Sequence, residues 1–323
     1  MRRFVTAGFI ATAAMLSAVP VFAQNYPDRP VRVIVPTPPG GPVDVMARLL
    51  CNGLPTQLGQ NFYIENKPGA GNIIGSKLAA EAAPDGYTLH ITAASGLIMS
   101  PMIYRNAGYD ASNFQPIALI AEAPQVLVVD PKLPIKSVAD LVAYAKAHPG
   151  KLNYSTGGIG TLPHLTAELF KQLSGTDIVH VPYKGGGLAL QAVFAGETQL
   201  TFDTVGTSLA LIRDGKLRAL AVGVKTRSAE LPDVPTMVEA GFPQLTTGAW
   251  TAILAPRGTP EAIIAKVNAA ANKAITSEPM KGTLAKLGAQ PRGGTPKELA
   301  DYIASETAKW KPIVQKLGLY QAK

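Results

Sequence analysis

The sequence has few of the residues that a catalytic or metal site would need. Cys51 is the only cysteine among 323 residues, which excludes an internal disulfide bond. It ends the apolar, helix-like run MARLLC at 46–51, a setting typical of a packed small side chain rather than a catalytic thiol. The four histidines do not match a zinc-ligand spacing, and neither H-E-x-x-H nor G-x-S-x-G occurs. We therefore expect no metal, no cofactor and no enzymatic activity.

Runs of like charge are also missing. The chain has 30 Lys and Arg against 22 Asp and Glu, a net charge of +8. The basic residues are scattered along the chain, without a basic run and without interleaved aromatic residues, so we expect no nucleic-acid partner. An excess of this size is typical of mild electrostatic steering of small acidic solutes.

The N-terminus has the pattern of an export signal. A basic start at Met1–Arg3 precedes an apolar run over 4–22, and small residues stand at −3 and −1 of a cleavage point after Ala23. This predicts a signal peptide over 1–23, cleavage near Ala23 and a periplasmic mature chain. A transmembrane anchor is the alternative, but the run is short and rich in alanine, and no later apolar run approaches membrane-spanning length.

Strand-like runs alternate with alanine-rich helical stretches in the rest of the chain, which predicts an α/β fold with mostly parallel sheets. The predicted strands are 32–35, 62–65, 87–91, 126–129, 152–155, 178–181, 199–202, 217–222 and 250–254. The predicted helices are 43–58, 73–82, 138–147, 162–173, 189–194, 261–274 and 296–317. Two groups of such units predict two lobes, and small ligands usually bind in the cleft between lobes.

A first glycine-rich loop, PTPPGGPVD at 36–44, follows a predicted strand and opens a predicted helix. Glycine lets main-chain N–H groups point into a cavity, and the helix aims its positive dipole end at the same place, so the pattern predicts an anion site. Because Pro42 has no N–H, the donors would be Gly40, Gly41, Val43 and Asp44. The Asp44 side chain would either cap the helix or contact a ligand, and the pattern supports the cap at least as well as the contact.

A second loop, STGGIGT at 155–161, also lies between a predicted strand and a predicted helix. Glycine is required at such a turn for purely steric reasons as well, so this loop alone is weak evidence for a site. It lacks the G-x-G-x-x-G spacing of a dinucleotide site and the Lys of a phosphate loop, which argues against nucleotide binding. His164, in the first turn of the following helix, either donates to a carboxylate or packs and caps.

Three further positions follow strands. Tyr183 and Lys184 stand in a third glycine turn, where a solvated side chain is the favoured interpretation of Lys184. Asp203 follows another strand and would cap, act at a hinge or touch a ligand. Asp44, Ser155 and His164 would have to assemble into a triad for hydrolysis, and nothing in their spacing favours it.

Seven runs in this order resemble the receptors of tripartite tricarboxylate transporters, also called the Bug family. They are IVPTPPGGPVD at 34–44, ENKPGAGN at 65–72, APDGYTL at 83–89, PGKLNYS at 149–155, VHVPYKG at 179–185, GKLRALAV at 215–222 and LPDVPT at 231–236. The resemblance implies a two-lobed type II periplasmic binding protein fold with a hinged cleft between the lobes. Lobe 1 would comprise 24–122 plus 250–323 and lobe 2 would comprise 123–249.

The resemblance also implies how a ligand is held. Main-chain groups of the two glycine loops would grip a carboxylate as the lobes close, and side chains after other strands would read the far end of the ligand. The implied set, together with His164, comprises Pro39, Gly40, Gly41, Val43, Asp44, Ser95, Ser155, Thr156, Gly157, Gly158, Gly160, Thr161, Tyr183, Lys184 and Asp203.

Two departures from the family pattern bear on the ligand. Thr37 stands where relatives usually carry an aromatic residue, and LIM at 97–99 is more apolar than the stretch common there. An apolar lining would suit an aromatic or long-chain acid better than citrate. The expected function is that of a monomeric receptor that delivers a mono- or dicarboxylate to two membrane subunits. The alternative is a ligand-sensing subunit of a signalling system.

Overall fold

The computed structural model describes residues 25–104 and 106–319, so the predicted signal peptide lies outside the described residues. The strands are β1 (Val31–Val35), β2 (Phe62–Asn66), β3 (Thr88–Ala93), β4 (Phe114–Val129), β5 (Asn153–Thr156), β6 (Val179–Pro182), β7 (Leu200–Thr204), β8 (Arg218–Val222), β9 (Gly248–Pro256) and β10 (Gln290–Gly293). The helices are α1 (Pro42–Gly53), α2 (Pro55–Leu58), α3 (Ile73–Ala80), α4 (Ser100–Ile103), α5 (Val138–Ala147), α6 (Leu162–Ser174), α7 (Gly186–Ala195), α8 (Val205–Arg213), α9 (Glu261–Ile275), α10 (Glu278–Lys286) and α11 (Pro296–Lys316). A π-helical turn over Ser95–Met99 precedes α4.

Local signals placed several element ends correctly. Helix α5 has the predicted bounds because Ser137 caps it, its hydroxyl accepting the N–H of Asp140 at 3.0 Å. The predicted helix over 43–58 is wrong, because the structure divides it into α1 and α2 at Leu54. Pro55 has no N–H and its ring obstructs the preceding turn, so it can begin a new helix but cannot continue the first one.

Strand β4 is much longer than predicted. It begins at Phe114, twelve positions before the predicted strand, and includes Pro116 and Pro124. Proline removes a ladder hydrogen bond, which made this stretch look unlike a strand. The register of β4 against β9 shifts between Pro116 and Ala118, and this irregularity accommodates the first proline. Helices α8 and α10 and strand β10 were also not predicted.

The sheet is mixed, which corrects the prediction of mostly parallel sheets. Strands β1, β2 and β3 are parallel, as are β5, β6 and β7, and these give the expected crossover units. Strand β9 is antiparallel to β3, and β4 is antiparallel to β9, β10, β7 and β8. The antiparallel pairs all involve β4 or β9, the strands that connect the two parallel sets.

Strand β4 changes partners along its length. Its first part, 114–124, pairs with β9, and its last part, 125–129, pairs with β7 and β8. Strand β3 runs in the same direction as β4 and lies across β9 from its first part, whereas β7 runs in the opposite direction and lies beside its last part. The carboxyl ends of β1–β3 and of β5–β7 therefore point towards each other. The loops that follow these strands are therefore directed to one region, on either side of the place where β4 exchanges partners. We call this place the crossing.

Helix α11 packs against both parts of the molecule. Its buried side chains recur every three or four residues and form a single stripe along the helix. Leu299 and Ile303 join a core cluster with residues of β1, β4 and β9, whereas Trp310, Ile313 and Val314 join the cluster beneath α5 and α6. The sequence placed α11 on one lobe or the other, but its contacts extend to both clusters.

Cys51 lies in the first core cluster, as the apolar run around it predicted. Burial raises the pKa of its thiol to about 12. Since the thiolate is the reactive form, we expect no reaction of the native protein with a chromogenic disulfide reagent at about pH 8, and complete reaction in urea. Rapid labelling of the native protein, measured by absorbance, would contradict this burial.

Candidate functional site

The first glycine loop joins β1 to α1 and presents the amino end of that helix. Gly40 has a φ of 83°, a left-handed conformation that disfavours side chains. Gly41 is the N-cap of α1, and Pro42 occupies the first helical position. The N–H groups of Val43 and Asp44 have no carbonyl acceptor within the helix, because the first turn of any helix lacks one. The loop thus carries main-chain donors at the positive end of a helix dipole, as predicted.

The Asp44 carboxylate holds this loop together. Its side chain is only 1% exposed, and it accepts hydrogen bonds from Gly40 N at 2.8 Å, Arg48 Nε at 2.8 Å and Asn66 Nδ2 at 2.8 Å. Burial alone would raise the pKa of Asp44, but the hydrogen bonds from Arg48, Gly40 and Asn66 outweigh it and lower the pKa. The structure therefore favours the cap interpretation of this side chain, and it removes the Gly40 N–H from the predicted donors.

Arg48 and Asn66 were not predicted as parts of the site. Arg48 stands four positions after Asp44 on α1, a spacing at which opposite charges meet on a helix, so the sequence contained a signal for that pair. Asn66 ends β2 and also donates to Thr37 O at 3.0 Å. Its role depends on the pairing of β2 with β1, which no local pattern shows.

The second glycine loop joins β5 to α6 and has two left-handed glycines, Gly158 at φ 135° and Gly160 at φ 77°. Thr161 Oγ1 donates to Gly158 O at 2.8 Å, and the Gly158 N–H is bonded to Thr156 Oγ1 at 3.2 Å. A Cβ on Gly157 would lie 2.7 Å from Gly186 N, so this loop packs directly on the third glycine turn. Glycine is needed here for close approach as well as for backbone conformation.

The hydroxyl groups of the second loop bond within the protein. Ser155 Oγ donates to Ala189 O at 2.8 Å and Thr156 Oγ1 is 2.7 Å from His180 Nε2. Both residues are buried. Their side chains thus fix the end of β5 and are not available to a ligand.

A stack of three rings lies beneath this loop. The ring centroids of Tyr154 and His180 are 4.8 Å apart, and those of His180 and His164 are 4.2 Å apart. His164 Nδ1 accepts the Gly160 N–H at 3.2 Å. Burial lowers the pKa of His164, and burial followed by the charge of His164 lowers the pKa of His180 to about 4. Both imidazoles are therefore neutral at pH 7, which the acceptor role of His164 Nδ1 requires.

This stack predicts acid lability. In the unfolded state His180 binds a proton near pH 6.5, whereas in the folded state it does so only near pH 4. Acid therefore favours the unfolded state, and the free energy of unfolding falls as pH decreases from about 6.5 to about 4. We expect urea denaturation midpoints to fall between about pH 7 and about pH 5, and to fall less for His180→Phe. His148→Phe, at an exposed position, is the control and should retain the wild-type decrease. Equal decreases for His180→Phe and wild type would show that His180 does not contribute.

The remaining predicted positions lie around the same region. Ser95 is exposed at the start of the π-helical turn, and its Oγ accepts from Asn72 Nδ2 at 3.2 Å. The Tyr183 N–H donates to Thr156 O at 2.8 Å. Lys184 is exposed and makes no ion pair within the described part of the chain. Asp203 accepts hydrogen bonds from the hydroxyl of Thr207 and from Ser208 Oγ, the latter at 2.6 Å, so its carboxylate is held by side chains of α8.

Two close contacts join the parts of the chain on either side of the crossing. A Cβ on Gly160 would lie 2.9 Å from Ile103 Cδ1, which places the second loop against α4. A Cβ on Gly288 would lie 2.1 Å from Gly206 Cα, which places the first turn of α8 against the turn before β10. The first and second glycine loops make no hydrogen bond to each other among residues 25–104 and 106–319.

The apolar stretch at 97–99 does not form the wall that the sequence suggested. Leu97 and Ile98 are buried in the core cluster of β1, β4 and β9, and Met99 is buried in the cluster beneath α5 and α6. The π-helical turn directs these side chains into the two cores, so they offer almost no surface to a ligand. The apolar side chain exposed on the second loop is instead Ile159, which is 63% exposed and was not among the predicted site residues.

Within the described residues, the structure has no group of three or more His, Cys, Asp or Glu side chains placed to hold a metal ion. The same residues include no helix with the length and apolarity needed to cross a membrane. The features that recur at this site are main-chain donors and the side chains that orient them.

Comparison with known proteins identifies the family. The family model for tripartite tricarboxylate transporter family receptors matches residues 46–319. Protein BugT of Bordetella pertussis, strain Tohama I, is 39% identical over 315 residues, which cover 96% of this chain and 95% of BugT.

Solved structures agree with this match. An R. palustris protein solved with adipate is 36% identical with a TM-score of 0.73, covering 91% of this chain and 98% of that one. MatC from Rhodopseudomonas palustris, solved with bound malate, is 35% identical with a TM-score of 0.70, covering 90% of this chain and all of MatC.

The fold is accordingly the two-lobed α/β fold of periplasmic binding proteins, which confirms the predicted fold class. Family members are periplasmic receptors of small carboxylates that work with membrane transporter subunits. The family model matches 274 of the 323 residues and BugT is 39% identical over nearly the whole chain, which shows that the chain belongs to the tripartite tricarboxylate transporter receptor family.

Proposed function

We propose that this chain captures a small organic carboxylate in a hinged cleft and delivers it to two membrane subunits of a tripartite tricarboxylate-type transporter. It acts as a periplasmic monomer, carries a signal peptide over 1–23 and performs no chemistry on the ligand. The lobes are 24–122 plus 250–323 and 123–249. The observation that carries the proposal is the pair of glycine loops, each opening a helix, at strand ends that point towards each other.

The ligand carboxylate is held by main-chain N–H groups at the two helix amino ends. On one side the donors are Gly41, Val43 and Asp44. On the other side they are Gly157 and Ile159, because the N–H groups of Gly158, Gly160 and Thr161 are already bonded within the loop and its helix. Asp44 and His164 orient these loops through the Gly40 and Gly160 N–H groups. Because these bonds exist before the ligand arrives, binding does not have to order the loops, which raises affinity.

Polar groups beyond the two loops favour a dicarboxylate. Ser95 and Lys184 are exposed near the strand ends, and the Lys184 ammonium would pair with a second carboxylate. Thr37 Oγ1 is buried without a hydrogen-bond partner among the described residues, and it would accept a polar contact beside the first loop. Solved relatives with adipate and malate are consistent with an acid of this kind. The burial of Leu97, Ile98 and Met99 reduces the reason to favour an aromatic acid.

A thermal-shift screen of malate, adipate, succinate, citrate and benzoate tests the proposal. A ligand at about 100 times its Kd stabilises the native state by about 2.7 kcal/mol, so a genuine ligand gives an unmistakable rise in Tm. The proposal fails if no acid of the panel, or of a wider set of organic acids, raises the Tm.

Uptake of the stabilising acid then separates transport from sensing. Deleting the gene is expected to abolish uptake of that acid by intact cells and a plasmid copy is expected to restore it. Unchanged uptake together with an altered transcriptional response to the acid would assign the protein to signalling instead.

A further inference from the structure

A cavity of about 430 Å³ lies beside the crossing, on the side covered by α11. Its walls come from β4, from the segment after β8, from Thr246, from β10 and from α11. Its lining residues are Glu122, Pro124, Val224, Lys225, Thr226, Arg227, Thr246, Gln290, Arg292, Tyr302, Ser305, Glu306 and Lys309. None of them belongs to the two glycine loops or to the third glycine turn, so this cavity is separate from the proposed carboxylate site.

The charges of the cavity are unbalanced. Four cations and two carboxylates line it. Both carboxylates already have partners: Glu122 pairs with Arg292 at 2.9 Å, and Glu306 is bonded to Lys309 and to Trp310 Nε1, the latter at 3.0 Å. The unbalanced charge is on Lys225, which makes no ion pair among the described residues. Arg227 also lines the cavity, but it pairs with Glu239, which does not.

We propose that this cavity is a second binding site, for a small organic dianion. Lys225 and Arg227 would hold one anionic group at the mouth, and Arg292 would face the other. Pro124, Val224 and the Tyr302 ring provide apolar surface for the carbon atoms between the two groups. The volume is within the range of small-molecule sites in proteins.

The position of the cations couples this site to lobe movement. Arg292 lies on β10, which pairs with β4 before the crossing, whereas Lys225 and Arg227 follow β8, which pairs with β4 after it. A dianion that bridges them holds the two sides of the crossing at one separation. It therefore changes the affinity of the cleft, and a cleft ligand changes the affinity of this site by the same factor. This coupling, unlike the second site itself, rests on the proposed function.

Intrinsic fluorescence reports on the cavity directly. Trp250 and Trp310 are the only tryptophans of the chain, and both donate their indole N–H to Glu306 in the cavity wall, at 3.4 and 3.0 Å. The experiment titrates the full mature chain with succinate, using the variant Gly41→Val to disable the cleft. We expect a saturable change in tryptophan emission that persists in Gly41→Val and weakens as ionic strength rises.

Substitutions in the cavity decide the result. Adding Lys225→Gln to Gly41→Val is expected to raise the apparent Kd for succinate about tenfold, the change typical of losing one charge-assisted contact. Lys216→Gln, at an exposed position outside the cavity, is the matched control and should leave the Kd unchanged. No emission change in Gly41→Val, or an identical Kd after Lys225→Gln, would overturn the second site. Thermal shift reports binding at either site, so the two proposals are separated by their variants. An unchanged Kd for Gly41→Val would contradict the cleft, and an unchanged Kd after Lys225→Gln would contradict the cavity, each independently of the other.

Discussion

Gly41→Val is expected to weaken carboxylate binding about 100-fold, equivalent to about 2.7 kcal/mol of binding free energy, without unfolding the protein. Gly41 has φ −72° and ψ 164°, an extended conformation open to any residue. A Cβ there would meet only Pro38 O, at 3.6 Å. The fold therefore has room for the side chain, which would occupy the space in front of the first-turn N–H groups and keep an anion from reaching them.

Isothermal titration calorimetry with the acid found in the thermal-shift screen measures this effect. Gly282→Val in α10 is the matched control, because a Cβ at Gly282 meets nothing within 4 Å and Gly282 belongs to neither glycine loop. It should bind with wild-type affinity. If Gly41→Val retains the wild-type Kd, the amino end of α1 does not hold the carboxylate, and the proposed binding mode is wrong.

Glu306→Ala is expected to lower the free energy of unfolding by about 3–5 kcal/mol, the usual effect of removing one member of a buried ion pair. The Glu306 side chain is 4% exposed. It accepts hydrogen bonds from Lys309 and from the indole N–H groups of Trp250 and Trp310. Truncation leaves the two indole N–H groups without an acceptor and the Lys309 ammonium with Thr246 O but no carboxylate, in the part of α11 that joins the two core clusters.

Urea denaturation followed by circular dichroism measures this loss. Glu278→Ala removes a carboxylate of an i,i+3 pair in α10 that is 86% exposed, and it should change stability by less than about 0.5 kcal/mol. Glu306→Gln should be intermediate, since the amide oxygen still accepts an indole N–H but carries no charge for Lys309. A Glu306→Ala variant as stable as wild type would show that water satisfies these donors.

The sequence predicted the elements whose signals are local. Ser137 caps α5 through its own side chain, and the predicted and observed bounds agree. The first glycine loop was identified because glycine, proline and a helix start follow one another within nine residues. The cap interpretation of Asp44 needed no more than its position in the first helical turn, and the Gly40 N–H bond supports it.

Other parts of the site depend on residues far apart in the chain. Tyr154, His164 and His180 stack because β5, β6 and α6 meet in space, and this stacking makes His164 an acceptor for the second loop. The stretch at 97–99 was expected to face a ligand because it is apolar. Composition does not specify direction, and the π-helical turn places these side chains in two cores.

The sequence by itself determined the α/β class, the two glycine loops, the absence of metal and hydrolase motifs, and the resemblance to carboxylate receptors. These features are encoded by neighbouring residues or by short runs with fixed spacing. Only the tertiary structure decided that β4 exchanges partners at Pro124, that α11 joins two cores and that Glu306 connects both tryptophans. The physical reason is that strand partners and helix packing are chosen by contacts between segments that lie far apart in the chain, where no local pattern constrains them.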